Sequence, residues 1–219
     1  MANSQLQKAF SFMAAIAALG CSGAHASLVT LTQASFGAAK VTFSEVSLGT
    51  ALNGLTINGF GFSESISNTF VNNGGPGNTG SITQPSALGN GNPVGQIISV
   101  GLPELSTAFG FAFALLDSGT IVNGVTITLF DGLSNLGSLG FTAIPDPIFP
   151  GGFAGIGSTI AFDKATLTFS TTSAAYDLDN FNSIAAPTIV PEPGSMVLVG
   201  LALCLAAVGS IRGRTARPA

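Results

Sequence analysis

Between Ser27 and Ile189, apolar residues recur at every second position over short stretches, and clusters of Gly, Asn, Ser, Thr and Pro separate those stretches. Successive side chains of a strand point to opposite faces, so this period predicts half-buried β-strands. Thr107–Leu115 gives the clearest case: Phe109, Phe111, Phe113 and Leu115 share one face, and Ala108, Gly110, Ala112 and Ala114 share the other. The small second face predicts that another layer packs closely on it. Val41 and Phe43, then Phe60 and Phe62, then Val125, Ile127 and Leu129 are predicted to point inward in the same way.

Further strands are predicted at Leu55–Ile57 after the turn-like Asn53-Gly54, at Gln96–Val100, and at Leu136–Ala143 after Asp131-Gly132. Ser158–Phe162 and Ala165–Ser170 are predicted as two strands joined through Asp163-Lys164, and Tyr176–Phe181 closes the series. Asn72–Pro93 is predicted as a long surface loop with at most a short strand at Ser81–Thr83. Ile144–Gly152 is predicted as a proline-stiffened loop. No convincing amphipathic helix interrupts the pattern. Roughly ten short strands, 8–15 residues apart, predict an all-β fold: an antiparallel β-sandwich, jelly-roll-like. The 17 phenylalanines, mostly on these strands, suit packing between two sheets.

The two ends break the pattern. Lys8, the apolar Ala9–Leu19 and the small residues Ala24 and Ala26 form a secretory signal peptide over 1–26, with cleavage before Ser27. A lipoprotein start at Cys21 is the weaker alternative, because no Leu stands three residues before it. At the other end Met196–Ile211 carries no charge. As a helix it spans about 24 Å, the short edge of what crosses a bilayer. A transmembrane helix over about 195–211 is therefore expected, with Arg212, Arg214 and Arg217 as its cytoplasmic stop. Before it, Pro191 and Pro193 hold Glu192 in an extended, accessible backbone.

Val190-Pro191-Glu192-Pro193, the apolar run and the arginine-containing end resemble a PEP-CTERM sorting signal over 190–219. In this chain the arginines are spaced out, not consecutive. The family occurs in Gram-negative bacteria, often beside exopolysaccharide loci. The resemblance implies recognition by an exosortase, a membrane cysteine transpeptidase that removes the tail. It also implies an exported protein that passes through an inner-membrane intermediate to the cell surface or extracellular matrix. Its partners would be signal peptidase, exosortase and exopolysaccharide in a biofilm. Tyr176–Phe181 resembles a recurrent closing strand of such ectodomains.

Composition narrows the chemistry of the 27–189 domain. It has nine carboxylates against Lys40 and Lys164, a formal −7, so nucleic acid is not an expected partner. Cys21, Cys204 and His25 all lie outside it. That leaves neither a disulfide nor a His/Cys metal site, and no Ser-His-Asp or Cys-His catalysis. Paired acids could in principle serve glycoside hydrolysis, but with no Trp and a single Tyr the domain has little aromatic platform for it. The expectation is a non-enzymatic surface protein without a cofactor. Its rival is a carbohydrate- or calcium-binding module with specificity in the 72–93 or 144–152 loop. For calcium, Asp177 and Asp179 beside Asn180 offer hard oxygen ligands, with Glu45 or Asp131 as further donors. The plainer account of these acids is a strand ending in a turn.

Overall fold

The structure is a computed structural model that describes residues 26–76, 81–91 and 96–188. The sorting motif, the apolar run, the arginines and Ala24 lie outside the described residues. The chain divides after Ala186, and the fold is that of the part before this division. Among the described residues there are ten antiparallel strands and one 3-10 turn, Gln33–Ser35, with no α-helix. No helix of the described residues is long and apolar enough to cross a membrane.

The strands are β1 (Leu28–Leu31), β2 (Thr56–Ile57), β3 (Phe60–Glu64), β4 (Thr69–Asn72) and β5 (Ser86–Gly89), then β6 (Ile98–Leu115), β7 (Ile121–Asp131), β8 (Ser134–Pro145), β9 (Pro150–Phe169) and β10 (Tyr176–Ala185). The all-antiparallel expectation stands. Its division into two separate sheets does not: hydrogen bonding is continuous through one ten-stranded sheet. The reason lies in β6 and β9, each long enough to belong to two layers. Residues 106–115 of β6 pair with β10 and with 151–162 of β9, whereas 98–101 pair with β3 and with 164–167 of β9. The register shifts between Gly101 and Ser106 mark the bend. The two predicted strands at 158–170 are thus one strand.

The first layer runs β4-β5-β10-β6-β9-β1, and the second runs β2-β3-β6-β9-β7-β8. Near its end β8 returns to β9 through Ile144↔Gly151 and Pro145↔Pro150. The proline-rich 144–152 segment is therefore mostly strand, closed by a tight turn at 146–149. Asn123-Gly124, a dipeptide usual in hairpin turns, forms an irregularity within β7, with Asn123 at φ 52°. The β2–β3 hairpin turns at Asn58-Gly59, both at positive φ (49° and 84°), which matches the twist of the flanking strands.

One core lies between the layers. Val41, Phe43, Phe60, Phe62, Phe109, Phe111, Phe113, Val125, Ile127 and Leu129 all belong to it, as the alternation predicted. The 72–93 stretch departs most from expectation. Ser81–Thr83 is not a strand, while Ser86–Gly89 is β5, buried at all four positions between β4 and β10. Gly89 is required there: a Cβ would lie 2.2 Å from the Tyr176 ring.

Candidate functional site

Strand β10 organises the outer face of the first layer. Tyr176 and Leu178 point into the core, so Asp177 and Asp179 point outward, opposite Ala114 and Ala112 of β6. Regular alternation would next put Phe181 outside. A bulge between Asp179 and Asn182, with Asn180 at φ 55°, resets the phase. Phe181 turns inward and stacks on Phe111 (centroids 5.1 Å, planes 11° apart). Asn182 turns outward, opposite Gly110.

The small face of β6 then acts as a floor. Phe153 of β9 lies over Gly110, where a Cβ would sit 2.6 Å from the ring. The Phe36 ring packs against it at 5.4 Å and 56°. Segment 33–39 forms the far wall and is fixed by Asn182, whose Nδ2 donates to the Gly37 (3.2 Å) and Ala38 (2.8 Å) carbonyls. Between them opens a half-exposed groove of about 170 Å³, lined by Gln33, Phe36, Phe153, Asn180 and Asn182. The Gln33 side chain is exposed and spends its amide on no hydrogen bond within the described residues. Drug-sized ligands occupy roughly 300–1,000 Å³, so this groove fits a group no larger than a single ring. A partly exposed ring, Phe153, beside an uncommitted amide suits a small ligand with one apolar face and polar edges.

Beside the groove, the segments 73–76 and 81–85 cover the two aspartates. Both carboxylates are fully buried. Asp179 Oδ2 accepts the Thr83 backbone N–H at 2.8 Å, and Asn180 Nδ2 donates to the Ser81 carbonyl at 2.8 Å. Ile82 packs on Ala112 and Ala114. Gly75 comes so close that a Cβ would lie 3.0 Å from Asp177 Oδ2. Burial pushes the Asp179 carboxyl up to about 7. The N–H groups of Thr83 and Asn180 oppose that shift, and the charge of Glu45 adds to it.

The two predicted calcium ligands thus share one face, buried under a cover, where a strand-ending turn would have left them exposed. Glu45 acts on Asp179 through its charge while binding the Thr42 backbone N–H at 3.2 Å. Asp131 ends β7 in the second layer, exposed at the β7–β8 hairpin. No group of three or more His, Cys, Asp or Glu suited to a metal occurs among the described residues. Ser27 stands just before β1, its backbone N–H donating to Thr159 Oγ1 at 3.0 Å. Ala26 is the first described residue.

A second polar cluster faces the interior. Tyr176 Oη meets Thr69 Oγ1 at 2.9 Å, and Gln96 Nε2 donates to Tyr176 Oη (3.3 Å) and Glu64 Oε1 (3.1 Å). Burial raises the Tyr176 phenol pKa, with hydrogen bonds from Thr69 and Gln96 opposing and Glu64 adding. The ring stacks on Phe169 at 4.2 Å. This buried cluster joins β3, β4 and β10 to the segment just before β6, so it fastens strands.

Sequence reasoning missed the groove. Gln33 and Phe36 lie over a hundred residues before Phe153 in the chain, and only the pairing of β6 with β9 and the cover by 33–39 unite them. The one available signal was the run of small residues at 108, 110, 112 and 114, which marked the floor.

No family model matches the chain, and neither does any curated protein. Two variants of CBM29-2, a family 29 carbohydrate-binding module, align at 10% identity and a TM-score of 0.38. One alignment covers 74% of this chain and 88% of that one, the other 77% and 100%. The enzymatically active domain of bacteriophage CBA120 tailspike protein 4 aligns at 15% identity and a TM-score of 0.37, over 62% of this chain and 22% of that chain. Likeness at this level says nothing of what this chain binds.

Proposed function

We propose that the chain is an exported, non-enzymatic β-sandwich protein that attaches to surface polysaccharide through the outer face of its first layer. The observation that carries this is the groove. The partly exposed Phe153 ring, backed by the buried Phe36, offers an apolar surface for the C–H side of a sugar ring, and the Gln33 amide offers both a donor and an acceptor for hydroxyls. Small residues on β6 keep the floor flat and rigid, and Asn182 holds the wall, so little ordering is left for the ligand to induce.

Full-length protein in mild detergent, titrated with oligosaccharides of the host's own exopolysaccharide, tests this. Phe153→Ala and Gln33→Ala are each expected to weaken binding about tenfold, equivalent to ~1.4 kcal/mol. Neither residue makes the Asn182 hydrogen bonds that hold the wall, and the circular-dichroism melt of each variant is expected to match the wild type to within a few degrees. Wild-type protein without affinity, or variants that bind like wild type, would rule the groove out.

Delivery follows from the two ends of the sequence. The 1–26 leader sends the chain out, and Val190-Pro191-Glu192-Pro193 with the apolar run and arginines supports removal of the tail by an exosortase. Mass spectrometry of the exported protein is expected to find Met196–Ala219 missing. Glu192→Ala is expected to leave the tail attached. A wild-type protein that keeps its tail would make this a simple membrane-anchored chain.

A further inference from the structure

We propose that Asp177 and Asp179, with the segments 73–76 and 81–85 across them, form a site for one hard divalent cation, Ca²⁺ by ligand type. The site is separate from the groove and does not depend on sugar binding.

Three observations carry it. First, the two carboxylates leave the same face of β10 two residues apart and are fully buried. A buried carboxylate is stable only when paired, protonated or bound to a metal. Second, Asp179 Oδ1 is buried and has no hydrogen-bond partner, although Oδ2 of the same group accepts the Thr83 N–H. One oxygen is used to hold the cover and the other is left bare beneath it. Third, the described residues offer no cationic side chain for this place. Lys40 Nζ donates to Ser183 Oγ at 3.3 Å, and Lys164 Nζ lies 4.7 Å from the Phe130 ring centroid. Glu45, also negative, acts on Asp179 through its charge and raises the electrostatic demand for a cation.

Ligand chemistry selects the ion. The donors are carboxylates, with no sulfur or imidazole, a set for Ca²⁺ or Mg²⁺ and not for zinc or copper. Ca²⁺ tolerates irregular geometry and takes six to eight oxygens, so water would complete the shell around the two carboxylates. Such a cation would fix the cover on β10. Asn180 joins that cover to the groove, since it holds the Ser81 carbonyl and lines the groove as well.

The test uses full-length protein in detergent, stripped with chelator at pH 7.5, whose melting temperature is followed with and without 5 mM CaCl₂. Extracellular sites bind Ca²⁺ with a Kd of about 0.1–1 mM, so the wild type is expected to gain roughly 3–8 °C. Asp179→Asn and Asp177→Asn, close in shape, are expected to lose that gain. Equilibrium dialysis of the wild type is expected to find one Ca²⁺ per chain, which guards against a variant that fails to fold. The proposal is overturned by no shift in the wild type, by an equal shift in both variants, or by an equal shift from NaCl at matched ionic strength.

Discussion

Phe181→Ala is expected to cost the domain about 3–5 kcal/mol, the range for deleting a fully buried aromatic. Phe181 has no exposure. Its ring meets Phe62 at 5.1 Å edge-on, Phe111 at 5.1 Å stacked, Phe43 at 5.9 Å edge-on and Phe109 at 6.1 Å. Phe62 lies on β3 in the second layer, while Phe109 and Phe111 lie on β6 in the first, so the cavity would open where the two layers meet. The backbone is committed as well. The Phe181 N–H donates to the Val41 carbonyl at 3.0 Å, and its own carbonyl accepts from Lys40 and Val41. The rigid surroundings cannot collapse into the space. With no cysteine between 27 and 189, no disulfide offsets the loss, and domains of this kind are stable by only ~5–15 kcal/mol. Urea unfolding should show a large fall in midpoint with little change in slope. Phe70→Ala serves as the comparison: that ring is 37% exposed on β4 and should cost well under half as much. Equal losses at the two positions would refute the account of Phe181 as the link between layers.

That link also explains which parts of the fold could be read from the sequence. Phe109 to Leu115 and Val125 to Leu129 were legible because each presents one large, continuous apolar face to a single core. The continuity of β6 and β9 was not. Pro103, Glu104 and Leu105 in one, and Thr159 to Asp163 in the other, interrupt the alternation where the strands pass from one layer to the other. A bend with a register shift has the same local signature as a strand end. Strand β5 was hidden for a different reason. Ser86, Ala87, Leu88 and Gly89 have little strand preference of their own and no polar face, and become a strand because β4 and β10 flank them. At the site, Asp177 and Asp179 were legible as an oxygen pair, but their burial was not. Burial depends on the Asn180 bulge and on a cover that comes from about a hundred residues earlier in the chain.

Burial gives Asp179 its second consequence: with divalent ions chelated, the protein should be more stable at pH 5 than at pH 8. The carboxyl titrates at about 7 in the folded state, against 3.8 ordinarily. Between those values the native chain holds a proton that the unfolded chain has released. Stability therefore falls as pH rises, beginning near 4 and ending above 7. The contribution is fully present below the unfolded value and lost through the folded one. The full span of roughly three pH units at 1.36 kcal/mol each is on the order of 4 kcal/mol; the two units between pH 5 and 7 give on the order of 3 kcal/mol of it, or roughly 6–10 °C in melting temperature for a domain this size. The groups that face Asp179 give no relief: Asp177 precedes it on β10, Glu45 lies nearby, and the cover contributes the neutral Thr83. Asp179→Asn cannot ionise and still accepts the Thr83 N–H through its carbonyl. It should flatten the pH 5–8 profile and melt above the wild type at pH 8. A wild-type slope that survives in Asp179→Asn would place the titrating group elsewhere. Millimolar Ca²⁺ is expected to take the place of the missing proton, so the alkaline loss should shrink in the wild type while Asp179→Asn shows no response.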